Sequence, residues 1–116
     1  MKILIVGYPR VGKTQYSSKY REVIHLDGYM DIPFKEQIYV VLEDIKDKKD
    51  WVIEGLQGCR LFRKMLQLNE SLPDKVVYIN PKYEPDDNHK STRKMIDTVW
   101  KDCLDLNKDV LIDIVK

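Results

Sequence analysis

The sequence predicts an α/β protein built on an open, doubly wound parallel sheet of five strands. Short apolar runs alternate with helical stretches from one end of the chain to the other, which is the pattern of strand and crossover helix. A glycine-rich turn carrying a lysine follows the first apolar run directly, where such a sheet collects ligands. A length of 116 residues suffices for one core and is short for two, so residues 1–116 read as a single domain.

The strand candidates are Ile3 to Val6, Val23 to Leu26, Trp51 to Ile53, Val76 to Ile79 and Val110 to Val115. The first connection starts as a helix inside the glycine-rich turn and ends near Tyr20. The second places Phe34, Ile38, Leu42 and Ile45 at helical spacing, with Pro33 in the first turn and Lys35, Glu36, Asp44 and Lys46 on the outer face. In the third, Leu61, Met65 and Leu68 form a stripe widened by Phe62 and Leu66, and Pro73 ends it. Asn80 to His89, with two prolines and three acidic residues, reads as a loop. A fourth helix starts near Ser91 or Thr92 and repeats Met95, Ile96, Val99, Trp100 and Cys103. Connections of this length fit right-handed crossovers between parallel strands, with helices for both faces.

Lys and Arg total 20 against 19 Asp and Glu, so no general basic excess marks a broad nucleic-acid surface. Cys59 and Cys103 lack metal-site spacing and read as small apolar side chains in a reducing compartment. The opening Met1 to Val6 is too short for the apolar region of a secretion signal, and no stretch approaches a membrane span. A soluble cytoplasmic protein is the expectation.

The sharpest signal is GYPRVGKT, comprising Gly7, Tyr8, Pro9, Arg10, Val11, Gly12, Lys13 and Thr14, set between a strand and a helix. Glycines let successive N–H groups turn inward around phosphate oxygens. The Lys13 ammonium is suited to the outer phosphates of a nucleoside triphosphate such as ATP, and the Thr14 hydroxyl to Mg2+. Pro9 stiffens the turn; Arg10 faces either solvent or phosphate. Two strands end in carboxylate and glycine, Asp27-Gly28 and Glu54-Gly55. Glu54 is the candidate magnesium-side acid, and Asp27 the group that orients or deprotonates an acceptor hydroxyl. Ordinary capping is the bland reading of both. If Glu54 activates water instead, the chemistry becomes hydrolysis.

Arginine clamps transferring phosphoryl groups with a planar fork of donors. Arg60 is placed to reach a substrate phosphate or ribose, and Arg93, with His89 and Lys90, belongs to a basic cluster able to close over a nucleotide as a short lid spanning 80–93. Arg63 is the weaker candidate. His25 and His89 lack metal spacing, and His25 reads as a strand residue with one ring edge near water.

Together these motifs resemble the small P-loop kinases, the superfamily of nucleoside, nucleotide and metabolite kinases, and in particular its short bacteriophage members. GYPRVGKT carries the resemblance most specifically, and it extends over nearly the whole chain. It implies strand order 2-3-1-4-5, an acceptor-side acid at Asp27, a magnesium-side acid at Glu54, and helix and lid arginines at Arg60 and Arg93. The chain departs from the family in its brief lid, which mixes Glu84, Asp86 and Asp87 with the basic cluster, and in the small acceptor region Gly28 to Gln37. There Tyr29, Met30 and Phe34 serve either as packing or as a wall for a base. A homo-oligomer in which a second protomer completes the site is one answer to these departures.

The expected activity is magnesium-dependent transfer of the ATP γ-phosphate to a small hydroxyl- or phosphate-bearing acceptor. A polynucleotide end is the less economical acceptor for a chain of balanced charge. The alternatives are a small hydrolase of nucleoside triphosphates and a non-catalytic nucleotide-binding interaction protein.

Overall fold

The computed structural model describes residues 1–9, 11–81, 90–107 and 109–115. Its strands are β1 (Lys2–Gly7), β2 (Ile24–His25), β3 (Trp51–Glu54), β4 (Lys75–Ile79) and β5 (Leu111–Val115). The helices are α1 (Lys13–Ser17), α2 (Phe34–Ile45), α3 (Gly58–Leu68) and α4 (Lys90–Leu106). Every strand pair is parallel, and the order β2-β3-β1-β4-β5 matches the order that the resemblance implies.

β1 lies at the centre, and Leu4, Ile5 and Val6 are fully buried there. A strand covered on both faces has no place for the polar half of an alternating pattern, which is why it reads as a continuous apolar run. Its side chains divide between two cores. Leu4 and Val6 join Ile53, Val76 and Tyr78 under α2, α3 and α4, which contribute Val41, Phe62 and Ile96 among others. Trp100 of α4 stacks on Tyr78 at 4.8 Å between ring centroids and lies 6.2 Å from Phe62, filling the seam between sheet and helices. Ile3, Ile5, Val52, Val77 and Ile79 form the smaller core, covered by Val11 and by Tyr16 and Tyr20. The sheet is therefore wound on both faces but unevenly, since the helix on the second face has only five residues.

Several boundaries differ from the sequence reading. α1 stops at Ser17, well before Tyr20, where the Ser17 and Ser18 hydroxyls donate to the carbonyls of Thr14 and Gln15 at 2.8 and 2.6 Å. Such local bonds compete with helix propagation, and the freed segment lays Tyr20 on the sheet. β2 keeps only Ile24 and His25, because an edge strand has one neighbour to pair with; Leu26 instead opens a 3₁₀ turn, Leu26–Tyr29, and is buried. Pro33 caps α2 from outside instead of occupying its first turn. Leu68 leaves the expected stripe and is 44% exposed, since α3 ends there and Cys59 extends the buried stripe toward the strand ends instead. α4 begins at Lys90, one residue earlier than expected. Arg10, the Phe34 side chain and residues 82–89, including most of the expected lid and His89, lie outside the described residues.

Phe62 is fully buried between sheet and α4, whereas Leu68 is not. Phe62→Ala should therefore lower unfolding free energy in urea by about 3–5 kcal/mol, and Leu68→Ala by well under half of that. Equal losses at the two positions would contradict this assignment of the core.

Candidate phosphate-binding site

β1 delivers the chain to Gly7 beside β4. A Cβ on Gly7 would stand 2.9 Å from the Ile79 carbonyl oxygen and 3.0 Å from Val11 Cγ2, so the strand end can approach its neighbour this closely only without a side chain. At the other end of the turn Gly12 caps α1 with φ 95° and ψ 27°, a left-handed conformation that a residue with Cβ adopts at a cost. Between them Val11 anchors the turn in the smaller core. The hydroxyl of Tyr8 donates to the Asp97 carboxylate on α4, and the Arg93 guanidinium stacks 4.1 Å above the Tyr8 ring. The glycine-rich turn is thus tied to the sheet on one side and to α4 on the other.

Lys13 turns back into this frame. Its side chain is only 8% exposed, and Nζ donates to the carbonyls of Tyr8 at 2.6 Å and Gly7 at 3.3 Å. Among the described residues no carboxylate stands within ion-pair distance of it. Desolvation lowers the Lys13 pKa below the ordinary lysine value, and the more distant charges of Glu54 and Asp27 oppose that shift.

Glu54 closes β3 and is 3% exposed. Its Oε1 accepts a long hydrogen bond of 3.4 Å from the Thr14 hydroxyl and faces His25 Nδ1 at 2.6 Å. Asp27 follows β2 in the 3₁₀ turn and is exposed. Asp27 and Glu54 border one open cavity of about 520 Å³, which Pro9, Gly12, Lys13 and Thr14 line with them. Its position beyond the carboxyl ends of β1, β2 and β3 is where open α/β sheets bind ligands.

Among the described residues no group of three or more His, Cys, Asp or Glu side chains gathers to hold a metal. A hydroxyl at Thr14 and a carboxylate at Glu54 form a set of hard oxygens. Magnesium commonly takes one or two protein oxygens and completes its shell with water and phosphate, so this donor set fits it. The buried thiols are not part of the cavity. Cys103 donates to the Cys59 carbonyl at 3.3 Å, and burial pushes its pKa up to about 12 and raises that of Cys59 as well.

The remaining candidates are scattered. Arg60 borders a different groove, between α2 and α3. Arg63 pairs with Asp102 of α4 at 2.9 Å. Arg93 lies at the Tyr8 ring, on the loop's α4 side. Tyr29 donates to Asp44 at 2.7 Å, holding the 3₁₀ turn against α2, while Met30 is 72% exposed. Sequence reasoning missed the partnership of His25 with Glu54, which are register partners across β2 and β3 and become neighbours only once that pairing is known. It also missed Asp97, whose one signal is its place one helical turn after Arg93. No protein-family model, curated protein or solved structure matches the chain.

The buried ammonium has a stability consequence. Between the lowered pKa of Lys13 and the ordinary value of 10.5, the unfolded chain holds the proton that the folded protein has lost, so stability should rise with pH across that window. Lys13→Met should abolish this rise and increase stability at neutral pH by roughly 0.5–2 kcal/mol in urea titrations. A less stable variant that retains the alkaline rise would contradict the electrostatic account of Lys13.

Proposed function

We propose that the protein is a magnesium-dependent phosphotransferase of the P-loop kinase type, moving the γ-phosphoryl group of ATP to a hydroxyl- or phosphate-bearing acceptor. The observation that carries this reading is the buried Lys13 ammonium, held by main-chain carbonyls at the cavity lined also by Thr14, Asp27 and Glu54. A desolvated cation with no carboxylate at ion-pair distance among the described residues is costly, and a polyphosphate would supply a close counter-charge.

In this reading the amides of the turn from Gly7 to Thr14 surround the β- and γ-phosphates, and Lys13 exchanges its carbonyl partners for their oxygens. Thr14 and Glu54 would hold magnesium, which would neutralise charge on the phosphate oxygens. His25 steadies the Glu54 carboxylate through the 2.6 Å contact. Asp27, exposed at the cavity edge, orients the acceptor and takes its proton as needed. The acceptor oxygen forms a bond to the γ-phosphorus while the bridging bond to the β-phosphate breaks, and ADP leaves with the electron pair. Arg93 acts from the loop's α4 side by leaving the Tyr8 ring for the developing charge, and Arg60 acts on the acceptor side.

Isothermal titration and transfer of labelled γ-phosphate test these roles separately. Lys13→Ala should weaken magnesium-ATP binding at least tenfold. Asp27→Asn should leave that affinity within about twofold while lowering acceptor transfer on the order of 10²-fold. Glu54→Gln should raise the magnesium concentration needed for half-maximal binding or transfer by about tenfold or more. ATP loss that proceeds equally without any acceptor would make the protein a hydrolase, and undiminished ATP affinity in Lys13→Ala would remove the basis of the reading.

A further inference from the structure

A second concavity, of about 430 Å³, runs between α2 and α3. Consecutive residues border the two cavities: Leu56 lines the phosphate cavity and Gln57 the groove. Gln57, Arg60, Lys64 and Gln67 recur at helical spacing and form one polar stripe along α3. From Gln57 to Gln67 that stripe is on the order of 15 Å long, far more than one phosphate group occupies.

The groove is positively charged along its length. Lys35 enters from α2, Arg60 and Lys64 from α3, and no carboxylate is among its described lining residues. Arg63 also borders it but is paired with Asp102. Of the acids of α2, Glu43 pairs with Lys46 at 2.7 Å and Asp44 accepts from the Tyr29 hydroxyl, while Glu36, next to Lys35, is not among the lining residues. Arg60 is partly desolvated and next to Arg63, and both effects lower its pKa from the ordinary guanidinium value.

One further feature defines the ligand chemistry. Tyr39 is 56% exposed on the groove wall, with Lys64 Nζ 5.4 Å from its ring centroid, so an aromatic face stands beside a cation. An acidic peptide would use the cations alone. A nucleic-acid strand uses both features, with phosphates for the cations and a base for the Tyr39 face.

We infer that the α2–α3 groove binds a short single-stranded nucleic acid, whose end enters the adjoining phosphate cavity as the acceptor. The entry of the strand end rests on the proposed phosphotransfer; occupancy of the groove does not. The balanced net charge of the chain conceals this surface, because the groove draws its cations from α2 and α3 while many acids lie elsewhere.

The experiment is fluorescence anisotropy of a short labelled single-stranded oligonucleotide with the full chain, across a range of salt concentrations. Magnesium-ATP binding is measured in parallel on every variant. Lys35→Glu with Lys64→Glu should weaken oligonucleotide binding at least tenfold and flatten the salt slope by about 1.4, which corresponds to two lost phosphate contacts. ATP affinity should stay within about twofold. Tyr39→Ala should cost about tenfold without altering the salt slope. The milder Lys35→Gln with Lys64→Gln, checked for unchanged urea stability, should show the same direction of effect.

The inference fails if these variants bind the oligonucleotide as the parent does. It fails equally if inorganic phosphate or an acidic peptide of equal charge competes as well as unlabelled oligonucleotide. Lys13→Ala separates the two readings: lost ATP binding with retained oligonucleotide binding supports both. Retained ATP binding would sink the triphosphate site and leave the groove to be judged on its own titrations.

Discussion

The constraint on which the rest of the structure depends is a lysine ammonium placed where water hardly reaches it. Lys13 is held by two carbonyls of the turn that precedes it, so the turn has to curl around its own cation. Gly12 permits the left-handed entry to α1, and Gly7 permits close approach of β1 to β4. The curled turn also directs the start of α1 toward the same opening that Glu54 reaches from β3. A surface lysine would be indifferent to all of this, because solvent would satisfy it from any direction.

That arrangement is stiffened from two sides by different physics. Val11 and the tyrosines Tyr16 and Tyr20 bury the turn and α1 against the second face of the sheet. Tyr8 reaches the opposite way, to Asp97 and under Arg93, and so joins the turn to α4. The first contribution is apolar and hardly sensitive to salt. The second is polar and partly exposed, and exposed ion and ring contacts contribute little individually. A rigid base with a weakly held outer side is a useful combination for a site proposed to admit a triphosphate and then close on it.

Charge is distributed here by element and not by composition. Asp27 follows β2 and Glu54 closes β3, and a cation groove begins only three residues beyond Glu54, at Gln57. On the proposed reading these adjoining surfaces divide the work: oxygen ligands and Lys13 serve the donor, and the groove between α2 and α3 serves the acceptor. The crossover after β3 makes the division physical, since it carries the chain from the sheet edge directly into the helix that bears Arg60 and Lys64.

The sequence alone determined the sheet and the turn. Apolar runs such as Leu4-Ile5-Val6 exclude a solvated face, and the two glycines that bound the segment before Lys13-Thr14 mark a tight turn between a strand and a helix. Local chemistry sets these features, so they are legible without knowing what lies opposite. Tertiary structure decided the rest: that β2 is cut to two residues, that Leu68 falls outside the core, that His25 meets Glu54, and that Arg60 faces a groove separate from the phosphate cavity. Each depends on strand order or on which helix packs alongside, and contacts between distant residues leave no local pattern to be read.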